Sequence, residues 1–313
     1  MEIIEAEDVD FSTVTDVRGD LLLAASGYEY RSACVAERLR KSKHTRRVAL
    51  GFNDRKTRGS RRRNDRIFKE LGFALVLADG DDPSVPRMVL LETLSGITNP
   101  KIVVDYTVMT TVWYASLISA LGSFEEEASK AEVYFIYQPS LFSPPKPPRP
   151  NAHIGPIAEF CSLTLPDKPT ALVMGLGYIP LRSAGLIDYV EPKEIYAFIA
   201  DPGTDERFVR EVEKNNKETL ARIGKDNVVR YPLDDLRLLE VRLNTLVSAL
   251  QRDYRVIIAP LGPKPFSLIS LLLAQKLRTV DVWRVSSGAK GNVYRRKDVG
   301  EPIPLCVRFE TRL

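Results

Sequence analysis

The residues best suited to chemistry stand where apolar runs end. Residues 260–267 read Pro260-Leu261-Gly262-Pro263-Lys264-Pro265-Phe266-Ser267, between the apolar runs 256–259 and 268–274. That order predicts a strand, a tight turn and a buried helix. Lys264 is then held where a strand ends and a helix begins, the usual position of an anion in an open α/β sheet. Other runs end in similar turns. Ser26, Gly27, Tyr28 and Arg31 follow run 21–25, Asn53 follows run 48–52, and Asp105 and Thr107 follow run 102–104. In the second half Gly175, Gly177, Tyr178 and Arg182 follow run 171–174, Asp201 follows run 195–199, and Ser286 and Ser287 close run 280–285. Glycine turns can bring backbone N–H groups to a phosphate, Arg31, Arg182 and Lys264 can balance its charge, and Tyr28 and Tyr178 can stack on a base. Together these residues describe a nucleotide-like ligand. Simpler roles stand beside that reading: Gly27 and Gly177 as turn glycines, Arg31 and Arg182 as salt-bridge partners.

Other chemistries find less support. Cys34, Cys161 and Cys306 are scattered, and His44 and His153 are the only histidines, so neither a disulfide framework nor a metal-ligand spacing is present and no metal site is expected. His44 lies in a basic run and His153 beside a proline-rich segment, settings that do not suggest a catalytic base. Gly175-Leu176-Gly177 lacks the third glycine of the dinucleotide fingerprint, and no Gly-Lys-Ser or Gly-Lys-Thr occurs, so no cofactor is expected. The net charge of +4 says little, but residues 38–66 are crowded with basic side chains. Arg46, Arg47, Arg58, Arg61, Arg62 and Arg63 read as a phosphate-facing surface for nucleic acid, or as a solvated loop and helix face, since no aromatic residues alternate with them.

The elements that must position these residues follow from periodicity. Short apolar runs at 21–25, 48–52, 73–77, 102–104 and 133–137 alternate with helical segments, the mark of parallel βαβ units buried on both faces. Residues 1–20 read as a short lead-in strand or cap, too polar and acidic for a secretory signal. At 44% hydrophobic and 27% charged the composition is that of a soluble globular protein, with no run near the ~18 residues of a membrane span, so a cytoplasmic protein without membrane contact is expected. Residues 143–150 hold five prolines and read as a stiff connector in polyproline II geometry or a docking peptide.

Beyond the connector the order returns. Gly177-Tyr178 with Arg182-Ser183-Ala184 echoes Gly27-Tyr28 with Arg31-Ser32-Ala33, and Asn216 with Gly224 matches Asn64 with Gly72 at the same separation. Runs 171–174, 195–199, 228–229, 256–259 and 280–285 match the five of the first half, and the turn at 105–109 is the altered twin of 260–267. The expectation is two tandem Rossmann-like parallel-sheet domains from an internal duplication, covering 1–142 and 153–313 about a linker at 143–152. Residues 303–309 read as a terminal strand, antiparallel at a sheet edge.

A tandem Rossmann-like chain with a Gly- and Lys-containing turn after the fourth strand resembles the CRISPR-associated Rossmann-fold sensor proteins of prokaryotic anti-phage defence. The resemblance covers the layout of both halves and, in detail, Gly262 and Lys264. Pro263 and Pro265 stand where that family has small residues, and the first half has neither Gly nor Lys at 105–109. The resemblance implies a pseudo-dimeric pair of domains binding a nucleotide or cyclic oligonucleotide, with Gly175 to Tyr178 as a second wall of the site. A protein partner would carry the effector activity. Two other functions stay open: a phosphodiester-cleaving or nucleotide-modifying enzyme using Asp54, Asp105 or Asp201, and a nucleic-acid-binding or structural subunit of a defence complex using residues 38–66.

Overall fold

The apolar runs fold as the central strands of two sheets. The computed structural model describes residues 1–57, 59–124, 130–162, 167–287 and 294–311. In chain order the first elements are β1 (Glu2–Asp8), α1 (Phe11–Asp16), β2 (Arg18–Ser26), α2 (Cys34–Arg38), β3 (Lys43–Phe52), α3 (Arg61–Glu70), β4 (Ala74–Ala78), α4 (Ser84–Leu94), β5 (Lys101–Asp105), α5 (Thr111–Gly122) and β6 (Lys130–Tyr137). They are followed by β7 (His153–Pro156), β8 (Thr170–Gly175), α6 (Arg182–Val190), β9 (Glu194–Ala200), α7 (Glu206–Asn215), α8 (Lys217–Arg222) and β10 (Val228–Tyr231). The chain ends in α9 (Leu236–Leu250), β11 (Arg255–Pro260), α10 (Lys264–Leu277), β12 (Val280–Ser286) and β13 (Ile303–Glu310).

The chain is α/β, with two mostly parallel sheets in two compact units, one built from Met1–Leu141 with Val293–Leu313 and the other from Phe142–Asn292. The first sheet runs β1-β13-β6-β5-β2-β3-β4 and the second β10-β9-β8-β11-β12-β7. Counted within each unit, the five parallel strands take the same order, 3-2-1-4-5, with an antiparallel strand added next to strand five. This is the doubly wound arrangement, and its repetition agrees with the duplication read from the runs. In the first unit Leu22 and Ala24 of β2 face α2 and α3 through Val35, Ala36 and Phe68. In the second, Leu172 and Met174 of β8 meet Leu186, Ile187 and Val212.

Two expectations need correction. The strand at 303–309 belongs to the first unit rather than the second, and it is interior: β13 pairs antiparallel with both β1 and β6. The second unit accordingly closes before the C-terminal segment. Nor are the sheets wholly parallel, because β7, unanticipated beside the proline-rich connector, pairs antiparallel with β12 from His153 to Pro156.

His44 sits in β3 opposite Gly19 of β2, where an added Cβ would lie 2.6 Å from the imidazole. Its Nδ1 is 3.0 Å from Ser42 Oγ, while its buried Nε2 has no hydrogen-bond partner. Burial and then the Arg47 guanidinium hold its pKa down at about 4, against a weaker pull from Asp20. In the unfolded chain the value is about 6.5, so only the unfolded state gains this proton as pH falls through that window. The contribution of neutral His44 is present above pH ~6.5 and lost on the way to pH ~4. Urea midpoints should fall between pH 7 and 4.5, and the slope should flatten in His44→Gln. An unchanged slope would remove His44 from the account.

Candidate functional site

With order 3-2-1-4-5, connections diverge between strands one and four, so the crevices lie after β2 and β5 in the first unit and after β8 and β11 in the second. The structure brings the sequence candidates to these places but uses them differently in the two units.

In the first unit the strand ends are filled by the protein's own groups. Asp105, 2% exposed, accepts the Thr107 N–H at 3.0 Å, and Thr107 Oγ1 accepts the Gln138 N–H at 2.9 Å. Gly27 N–H donates to Ser32 Oγ, which donates to the Ala25 carbonyl, both at 2.8 Å. Asn64 Nδ2 donates to the Gly27 and Glu29 carbonyls. Tyr28, half-buried, offers its carbonyl to Ser60 N–H at 3.0 Å. Arg31 is buried with its Nε 2.7 Å from Glu29 Oε2, its Nη1 2.5 Å from the Gln138 carbonyl, and its guanidinium over the Tyr137 ring. Burial alone would lower its pKa, yet the Glu29 carboxylate and the Tyr137 hydroxyl outweigh it and the value is raised. Arg31 is thus a clamp within its own unit. Gln138 Nε2 reaches the carbonyls of Val299 and Gly300, and Arg38 pairs with Glu301 at 2.5 Å, so the chain before β13 lies along these same strand ends. Thr110 caps α5 by accepting the Trp113 N–H, and Trp113 stacks on Phe52 with centroids 4.5 Å apart.

Thiol chemistry has no place here either. Burial pushes Cys34 up to about 12, with Asp298 adding to it, and Cys306 up to about 11, so both remain thiols at neutral pH.

In the second unit, two turns meet backbone to backbone. A Cβ on Gly177 would lie 2.1 Å from the Leu261 carbonyl oxygen, and one on Gly262 would lie 2.5 Å from that of Leu176. Gly175 leaves room for the Phe266 ring, and its carbonyl accepts the Leu261 N–H at 2.9 Å. These glycines are therefore required by turn-to-turn packing, a closer constraint than phosphate approach. Asn216 Nδ2 donates to the Gly177 carbonyl as Asn64 Nδ2 does to that of Gly27, while Ser183 Oγ donates to Asn216 Oδ1 where Ser32 bonds the turn backbone itself. That repeated device carries the duplication down to side chains. The spacing of Asn64 and Asn216 marked the repeat in sequence; their hold on the Gly27 and Gly177 carbonyls was missed.

Lys264 is the first residue of α10, half-buried beside these turns. Pro263 and Pro265 remove two N–H donors from this helix start, so its positive character rests more on the Lys264 side chain than on the backbone. Tyr178 packs on Phe208, centroids 5.6 Å apart, and Phe208 meets Phe142 edge-on. This aromatic cluster draws on residues the sequence reading did not single out. Arg182 opens α6, half-buried, after Leu181, whose φ is +63° with the side chain 67% exposed. Asp201 follows β9 and binds Arg230 at 2.6 Å, and Ser286 ends β12 with its carbonyl accepting Ala152 N–H. Gly175, Gly177, Tyr178, Gly262 and Lys264 thus stand together at the ends of the paired strands β8 and β11, while Asp201 and Ser286 stand at neighbouring strand ends.

The basic run does not form one surface. Arg61, with Asn64 and Phe68 on the buried stripe of α3, donates to Asp65 and to the Phe52 carbonyl, both at 2.7 Å, and is 2% exposed. Its place in the phosphate-facing set is corrected: the 3.6-residue period turns it inward. Arg46 is tied to Glu92 and Thr93, and Arg47 to the Ser42 and Leu71 carbonyls. Arg62 and Arg63 are exposed, Arg63 reaching Tyr30; Arg58 lies outside the described residues.

Among the described residues no group of three or more His, Cys, Asp or Glu is placed to hold a metal, and no helix is long and apolar enough to cross a membrane. The chain matches no family model, and no curated protein is significantly similar to it.

Proposed function

We propose that this chain is a nucleotide- or oligonucleotide-binding module whose ligand sits at the crevice of the second unit, its phosphate against Lys264. The observation that carries this reading is the asymmetry of the two switch points. In the first unit hydrogen bonds link Arg31 to Gln138, Gln138 to Thr107 and Thr107 to Asp105 across the strand ends. In the second, the packed turns set a lysine at the start of a 14-residue helix beside the crevice. The layout resemblance adds the ligand class, a cyclic oligonucleotide signal in a prokaryotic defence system. It adds too an effector supplied by a protein partner, in the cytoplasm. Asp201 and Asp105 are engaged by Arg230 and Thr107, which favours binding over catalysis by these carboxylates.

Calorimetry with cyclic and linear oligonucleotides tests it. One class should bind, and Lys264→Ala should weaken it roughly 10- to 100-fold, the loss of a charge-assisted contact of about 1.5–3 kcal/mol. Melting temperatures of the parent and the variant, taken alongside, separate a lost contact from a lost fold. Binding by no member of the panel, or equal binding by the variant, overturns the proposal.

A further inference from the structure

The edge of the first sheet carries a symmetric sequence. Residues 74–78 of β4 read Ala-Leu-Val-Leu-Ala, a palindrome about Val76, flanked by Gly72 and Gly80 at equal distances. β4 pairs with β3 on one side and ends the sheet on the other. An edge strand exposes a row of backbone N–H and C=O groups, and proteins ordinarily block such rows with charge, proline or a covering side chain.

The other three edges of this protein are blocked in those ways. β1 carries Glu2, Glu5, Glu7 and Asp8, with Arg308 paired to Glu5 and Glu7. On β10, Arg242 covers the Arg230 carbonyl, and the Arg230 side chain holds Asp201 and Glu213. β7 is four residues long and ends at Pro156. β4 has no charge and no proline, and among the described residues no hydrogen bond from outside β3 reaches the backbone of 74–78. Leu77 is 47% exposed, Ala74 is exposed, and Leu75 and Val76 are half-buried.

We propose that β4 is the docking strand for β4 of a second copy of this chain, paired antiparallel about a two-fold axis at Val76. A two-fold contact needs a surface complementary to itself, and an antiparallel edge pair centred on a palindrome supplies one. The axis sets Ala74 against Ala78, Leu75 against Leu77 and Val76 against its own counterpart. Cross-strand apolar pairs of this kind are what stabilise a sheet. Over residues 72–80 no like charges oppose each other, since Asp79 faces Phe73. The pairing joins two sheets into one continuous sheet and is independent of the ligand proposed for the second unit.

The test is sedimentation of the full chain from about 1 to about 200 µM, the range in which a small transient interface shows itself. The expected result is a concentration-dependent monomer–dimer equilibrium. Leu77→Lys changes an exposed side chain and should leave the circular dichroism spectrum unaltered. It places two ammonium groups diagonally across the axis and should weaken association about tenfold or more. The register is read by oxidative cross-linking in a Cys161→Ser background, because Cys161 is exposed. Val76→Cys brings two thiols face to face, within disulfide reach in an antiparallel pair, and should cross-link; Ala74→Cys, opposite Ala78, should not. A monomer at every concentration, a Leu77→Lys dimer as strong as the parent, or equal cross-linking at 74 and 76 would overturn the proposal.

Discussion

Replacing Arg31 by methionine is expected to cost about 3–5 kcal/mol of stability, the penalty for removing one member of a buried ion pair. Glu29 is 8% exposed, and after the change Arg296 stays beside it, with Nη1 3.7 Å from Oε1 against the 2.7 Å of Arg31. The Gln138 carbonyl would lose its donor at the same time, and Gln138 is the residue whose side chain holds Val299 and Gly300. The loss therefore spreads to the chain leading into β13. Adding Glu29→Gln should recover part of it, because the buried carboxylate charge is removed. Urea unfolding of the single and double variants measures both effects. Oligonucleotide binding by the second unit should survive Arg31→Met under conditions where the chain is folded. A loss below about 1 kcal/mol would mean the guanidinium is not clamped as described, and would return Arg31 to the list of ligand contacts.

Much of the fold was legible because parallel strands buried on both faces announce themselves as apolar runs, and ten such runs were readable. What escaped was pairing over distance. β13 lies between β1 and β6 because Arg308 meets Glu5 and Glu7 while Val307 and Phe309 enter the core, a match between the two ends of the chain that no local pattern holds. For the same reason acidic β1 read as lead-in rather than as a full strand. The candidate site was legible by place and only partly by role. Turn glycines and Lys264 were found from their position after strands. Whether an arginine at such a turn faces a ligand or a carboxylate two residues away depends on burial, and Arg31 and Arg61 resolved as internal clamps. Arg61 could have been suspected from the stripe it shares with Asn64 and Phe68.

Gly177→Ala is the substitution through which packing and binding are most tightly joined. The new methyl group would stand 2.1 Å from the Leu261 carbonyl oxygen and 3.0 Å from its carbon. Both are backbone atoms, so relief requires the turn after β11 to move rather than a side chain to rotate. Forced overpacking of this kind costs roughly 1–3 kcal/mol, with the upper end expected because the turn at Gly262 is packed as closely, an added Cβ there lying 2.5 Å from the Leu176 carbonyl oxygen. The same movement carries Pro263 and with it Lys264. Gly177→Ala should therefore lower both the urea midpoint and oligonucleotide affinity. Gly185, in α6 of the same unit, has nothing within 4 Å of an added Cβ, so Gly185→Ala serves as the control and should leave binding unchanged. If Gly177→Ala destabilised the chain and left affinity intact, the two turns would be joined for stability only, and the ligand would have to be sought away from their meeting point.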